Sequence, residues 1–282
     1  MEKKRYLFKF YYIGKSKYYG SQRQPHLLTI EDCLIHALIE KKYINNIKES
    51  GFEAASRTDR YVSARGACFT CIMEKEPILM ELNSALPSEI GIWAYARVPM
   101  DFLSRFNATL RHYLYLVPKP LSYFQNFGSL DINIMKKACK ALEGQHDFIN
   151  FSKREKIEVN SIRDIEFAKL SVIDDYILFQ FKSRAFLRQQ VRRMVKKIME
   201  LGLGEITYTN FIQLFDPTYE WSFQPVNATG LILWDIAYSD EIKLNEDRRS
   251  KERMEMIFLK KNLVARHKVQ LFYLLQHDDF CE

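Results

Sequence analysis

Two stretches gather residue types that could do chemistry. The first is Ala55-Ser56-Arg57-Thr58-Asp59-Arg60, one carboxylate between two guanidinium groups in a short polar run. Two accounts fit it. One is a surface turn in which Asp59 merely pairs with an arginine, an interaction of small energetic weight when exposed. The other is a nucleophile or base kept ionised by neighbouring positive charge, which favours the charged form of a carboxyl. If the run is extended, Arg57 and Asp59 share one side, because alternate residues of a strand point the same way. The second stretch runs from Arg184 to Ile198. Leu187, Val191, Met194, Val195 and Ile198 recur at helical spacing and predict a buried stripe on a helix over 185–201. Arg188, Arg192 and Lys196 follow in steps of four along another face, with Arg193 and Lys197 beside them and no acid within the run. A cationic ridge of that kind suits phosphate oxygens better than a merely solvated face.

Other constellations exclude chemistry. Gly14-Lys15-Ser16 has the tail of a phosphate-binding loop, but Lys9 stands where its first glycine is required. Cys68 and Cys71 lie three apart in what reads as a strand and so face opposite ways, against joint metal binding. The odd total of five cysteines fits reduced thiols in a cytoplasmic protein. Neither a metal nor a cofactor is expected. Arg65-Gly66-Ala67-Cys68-Phe69 has a faint likeness to an RNA-recognition motif, yet Ala67, Thr70 and Ile72 fill positions where stacking aromatics belong.

The elements that must position these groups follow from patterning. With 282 residues, 47% hydrophobic and 27% charged, the chain can fill two packed halves and is neither disordered nor fibrous. No apolar run is long enough for a signal-peptide core or a membrane span. A net charge of +7 favours an anionic partner wherever it is concentrated on one face. Strands are predicted over 5–13, 66–73 and 91–99. A helix opens at Thr29, which Asp32 answers in a near-capping box. A short helix carries Leu79, Leu82 and Leu86 between Pro77 in its first turn and Pro87 beyond its end. The second half reads as a strand over 106–117, a helix over 131–143 stopped by Gly144, strands near 162–170 and 176–183, the basic helix, and a strand over 231–238. Such mixed elements with antiparallel connections predict an α+β fold, each half a sheet with helices on one face. Residues 1–100 and 101–239 form the halves. Residues 240–282 are a charged, helical extension whose packing partner is not legible.

Several of these segments, in order along the chain, resemble the TruA-type tRNA pseudouridine synthases, particularly their archaeal and eukaryotic branch. Ser56 to Ala64 is similar to that family's active-site loop, Tyr12 to Pro25 to its N-terminal strand and loop, and Phe106 to Tyr115 to its Tyr-x-Tyr strand. The basic helix and Gly230-Leu231 have counterparts as well. The resemblance covers roughly residues 5–238. It implies that Asp59 is the catalytic carboxylate, supported by Arg57 and by Arg192, which reaches it from the basic helix. It implies that Tyr113 lies against the target base and Leu231 forms an apolar wall beneath it. Arg188, Arg193 and Lys196 are then RNA-backbone candidates, and His146 is structural. Two departures stand out. Ile13 replaces a usual aspartate, and Tyr61 replaces a usual glycine, a strained choice for tyrosine if that position needs positive φ.

The implied activity is isomerisation of uridine to pseudouridine in tRNA, in the anticodon arm, without a cofactor. The bond from the ribose to N1 of uracil breaks, the base turns, and the bond reforms through C5. The carboxylate either attacks C1′ or removes a proton from C2′. The resemblance also implies two related halves around an active-site cleft and a homodimer, one subunit gripping tRNA while the other modifies it. The competing account is a non-catalytic RNA-binding protein or RNA chaperone on the same scaffold.

Overall fold

The aromatic opening run becomes an inner strand because its Tyr, Phe and Leu side chains suit a pleated surface that is covered on both faces. The computed structural model describes residues 2–127, 130–154 and 160–276. β1 (Lys4–Tyr12) is buried along almost its whole length. α1 (Ile30–Glu40) opens with the expected capping box: the Asp32 N–H donates to the Thr29 hydroxyl and the Thr29 N–H donates to the Asp32 carboxylate at 3.0 Å. α2 (Ile47–Ser50) and the two-residue β2 (Glu53–Ala54) lead to β3 (Ser63–Met73), antiparallel to β1. Cys68 and Cys71 of β3 are both buried and unpaired. α3 (Leu79–Ala85) buries Leu79 and Leu82; Pro77 lies just ahead of its cap residue Ile78 rather than inside the first turn. β4 (Ile90–Val98) pairs with the other edge of β1.

β5 (Leu110–Pro120) starts later than the alternating pattern predicts. The Asn107 side chain accepts from the Leu103 N–H at 2.8 Å, which ties the residues just before it into a turn. α4 (Leu121–Phe127), α5 (Ile132–Leu142), β6 (Gly144–Asp147), β7 (Ile162–Ile173) and β8 (Tyr176–Ser183) follow. The basic helix, α6 (Gln190–Gly202), also begins later than predicted. Gln189 sits at φ 60°, a left-handed conformation no helix continues through, and the Gln190 side chain accepts from the Leu187 N–H at 2.7 Å. Arg188 therefore precedes the helix, and the expected ridge loses its first member. α7 (Tyr208–Gln213), β9 (Leu231–Ala237), β10 (Asn245–Glu246) and α8 (Arg248–Leu274) complete the described chain.

The ten strands of the described residues share one sheet in the order β10-β4-β1-β3-β9-β5-β8-β7-β6, with β2 paired to β3. Within β4-β1-β3 and within β9-β5-β8-β7-β6 every pairing is antiparallel. Among the described residues the two sets are joined as a sheet where β3 and β9 run parallel, through Ser63↔Ile232 and Ala64↔Leu233. The α+β architecture expected from the sequence is thus present, its halves fused edge to edge over one continuous core. This short seam decides where a site can form, because it sets the loop before β3 beside the start of β9. The first turns of α8 lie on β4 and α3, with Met254 buried against Tyr11 and Trp93. Among the described residues no helix is long and apolar enough to cross a membrane.

Candidate active site

Asp59 opens a tight turn in which the Val62 N–H donates to the Asp59 carbonyl at 3.3 Å. Tyr61, third in that turn, has φ 72°, so this position does require positive φ and tyrosine pays a steric cost there. The segment 12–21 clamps the loop. The Thr58 N–H donates to the Ser21 hydroxyl at 2.8 Å, the Ser21 N–H returns a bond to the Thr58 carbonyl at 3.1 Å, and the Tyr12 and Thr58 hydroxyls lie 2.7 Å apart. On the other flank the Gly14 N–H donates to the Ser63 hydroxyl at 3.0 Å. A Cβ at Gly14 would collide with the Tyr61 carbonyl, which is why this loop needs a glycine for its close approach.

The Asp59 carboxylate meets Nη1 of Arg192 at 2.6 Å, across the seam from the first turn of α6. Side-chain exposures of 34% and 12% leave the carboxylate open to a ligand while its partner is anchored. Arg192 is fixed further by its Nε, which donates to the Val226 carbonyl at 2.8 Å. Tyr113 is buried on β5, edge-on to Phe186 with ring centroids 5.3 Å apart. Burial pushes its phenol pKa up; Arg111 and Ser56 pull it back, and the Asp59 charge adds to the rise, so the two side chains sense one another. Leu231, also buried, opens β9 opposite Tyr115. The Tyr115 phenol is pushed up to about 12 by burial, against the opposing charge of Arg192. Asp59, Arg192, Tyr113 and Leu231 thus gather around the β3–β9 seam.

Other residues singled out in the sequence are placed differently. Arg57 is exposed and acts electrostatically on Glu31, while the ion pair found for Asp59 among the described residues is with Arg192. Arg60 turns away to the Ser16 carbonyl and stacks over Tyr19 at 4.1 Å. Arg193 is buried and lies 5.2 Å from the Phe223 ring, so it is not presented to a phosphate. Lys196 pairs with Glu200 at 3.1 Å, an acid just beyond the run that looked free of them, and Lys197 reaches the same carboxylate at 2.7 Å. Arg188 is exposed, ahead of the helix. His146 bonds to the Glu143 carbonyl at 3.0 Å and packs on Phe215, a structural placement.

One residue had no role assigned from the sequence. Arg111 is buried with no carboxylate partner among the described residues, and its guanidinium donates to Ser56 Oγ at 2.9 Å, to the carbonyls of Ala55 at 2.8 Å and Arg105 at 2.9 Å, and to that of Arg184. It fastens the start of the Asp59 loop to the second half. Its parity with Tyr113 and Tyr115 on β5 was the available signal. No group of three or more His, Cys, Asp or Glu is placed to hold a metal among the described residues.

A family model described as tRNA pseudouridine synthase matches residues 138–239. The chain is 36% identical over 261 residues to the tRNA pseudouridine synthase A of Methanosphaera stadtmanae, covering 92% of each protein. The chain belongs to the tRNA pseudouridine synthase A family. It is 32% identical to the Methanosarcina mazei member, over 95% of this chain and 99% of that one. With the Pyrococcus furiosus member it shares 33% identity, over 90% and 91%. Membership in the tRNA pseudouridine synthase A family spans both halves, so the whole seam between them falls within it.

Proposed function

We propose that this protein isomerises uridine to pseudouridine in tRNA, in the anticodon arm, with Asp59 as the catalytic carboxylate. The observation that carries this is the half-open Asp59 carboxylate, 2.6 Å from Arg192 and electrostatically coupled to Tyr113. In this reading residues 1–100 supply the carboxylate loop, residues 101–239 supply Arg192, Tyr113 and Leu231, and residues 240–282 are an extension. The target nucleotide leaves its stack, at a cost of a few kcal/mol that protein contacts must offset. Asp59 then faces the ribose, where it either bonds to C1′ or takes the C2′ proton; both routes release the base from C1′. Tyr113 and Leu231 flank the freed uracil and limit its escape while it turns, which keeps re-bonding through C5 effectively intramolecular. The C5 proton is then lost and N1 is left protonated, so the product is an isomer and no cofactor is consumed. Arg57 supports the negative charge from the solvent side, and Arg188 and Lys196 meet the RNA backbone. The protein works in the cytoplasm as a homodimer.

The test is release of tritium from tRNA labelled at uracil C5. Asp59→Asn should abolish release while leaving tRNA affinity largely intact. Release by the variant at the wild-type rate, or tRNA binding by the wild type without release, would overturn the assignment, the latter in favour of a non-catalytic RNA-binding protein.

A further inference from the structure

α8 is anchored at one end and exposed at the other. Asn245 pairs opposite Tyr95, the Asp247 N–H donates to the Trp93 carbonyl at 3.0 Å, Asn83 bonds Ser250 at 3.1 Å, Arg253 donates to the Tyr11 hydroxyl at 3.1 Å, and Phe258 meets the Tyr11 ring edge-on. From 245 to 258 the chain therefore walks down β4, from Tyr95 towards Ile90. Ile90 lies opposite Tyr12, and Tyr12 runs on into the glycine loop that clamps the Asp59 turn. The remainder of the helix, from Leu259 to Leu274, continues off that same end of the sheet. Sixteen residues at 1.5 Å each make a projection of about 24 Å.

Every residue of that projection is exposed. Between Leu259 and Gln276 there are four Lys or Arg and no Asp or Glu. Lys260, Lys261, His267 and Lys268 recur at i, i+1, i+7 and i+8, which puts them on one face of an α-helix. Exposed Val264 and Leu271 lie between these side chains on that face, so a second copy packed there would gain apolar contact but would set Lys260, Lys261 and Lys268 against their own kind, whereas a polyanion would be drawn to them.

We infer that the exposed part of α8 is a second RNA contact, a cationic arm that holds the phosphate backbone of the substrate away from the reacting nucleotide. The inference rests on the tRNA reading for the identity of the RNA, but its test is separate from catalysis. Binding of a tRNA transcript is measured as a function of salt for the full-length protein and for Lys260→Glu/Lys261→Glu/Lys268→Glu, which leaves the anchoring residues Met254, Ile257 and Phe258 in place. A control with the same change in net charge carries Lys48→Glu/Lys136→Glu/Lys169→Glu, all exposed elsewhere.

Loss of three phosphate contacts should weaken binding roughly tenfold at low salt and lower the slope of log K against log salt by about 2 to 3. The control should keep the wild-type slope. Circular dichroism of the arm variant guards against simple unfolding. An unchanged slope in the arm variant, or an equal loss in the control, would overturn the inference. So would light scattering that shows a wild-type dimer dispersed by Leu259→Glu/Leu263→Glu, which would assign the helix to a second copy. Failure of Asp59→Asn to abolish tritium release would sink the catalytic reading and leave this binding result standing.

Discussion

At the scale of single residues, the site turns on how one carboxylate is held. Arg192 uses Nη1 for Asp59 and Nε for the Val226 carbonyl, so its planar fork bridges the two halves at a fixed angle. A lysine keeps the charge but has a single point donor and cannot satisfy both acceptors in that geometry. Arg192→Lys should therefore lower the turnover rate by about a hundredfold, the size of effect expected when a reacting group moves by about 1 Å, with little loss of thermal stability. Single-turnover rates beside a melting curve check this; a variant within threefold of wild type would show that the fork is not what positions Asp59. Asp59, Arg192, Tyr113 and Leu231 could be singled out as candidates because each sits in a motif whose residues are near neighbours in sequence. Arg111 could not, because its five donors are answered mainly by backbone carbonyls from three separate segments, and carbonyls leave no mark in a sequence.

At the scale of elements, periodicity located the strands and helices, and the misses fall where backbone conformation departs from residue preference. Gln189 at φ 60° ends the reach of the 185–201 pattern, since nothing in a glutamine announces a left-handed residue. The same limit applies at Tyr61, where only the resemblance pointed to a glycine-type position, and φ 72° bears that out. A non-glycine residue held there costs about 1–3 kcal/mol. Stacking of the Arg60 guanidinium 5.0 Å from the Tyr61 ring returns part of that, about 0.5–1 kcal/mol at an exposed site. Less that stack and the roughly 0.5–1 kcal/mol that glycine's greater freedom in the unfolded chain costs, Tyr61→Gly should stabilise the protein by up to about 2 kcal/mol. Urea titration reads the change directly, and a loss of stability would show that the tyrosine contributes more through its stack than it costs in strain.

At the scale of the whole molecule, one sheet carries both halves, and the heavy use of buried phenols and thiols in its core should make the fold sensitive to alkali. Burial pushes the Cys68 and Cys139 thiols up to about 12 from an ordinary 9.0, and the Tyr115 phenol up to about 12 from 10.0; Tyr43 rises to about 12 as well, with Glu81 adding to the effect of burial. Cys71 and Tyr12 are raised by burial too. Above pH 9 the unfolded chain releases protons that the folded chain retains, so the folded state binds more protons and stability falls as pH rises. Below the unfolded values both states are protonated, and this contribution is present in full. His112 works in the opposite direction on the acid side: burial lowers its pKa from 6.5, so the unfolded chain takes up a proton first as pH falls. The melting temperature should therefore form a plateau from about pH 7 to about pH 9 and fall steeply beyond it as the raised groups are reached in turn. Cys68→Ala with Cys139→Ala should shrink the loss between pH 9 and 10, where thiols of the unfolded chain titrate ahead of its phenols, and leave most of the steeper fall above pH 10 to the phenols. A wild-type melting temperature that stays level to pH 11 would mean that these groups are solvated in the folded protein, and that the continuous core beneath the seam is looser than the packing of β1, β3 and β5 describes.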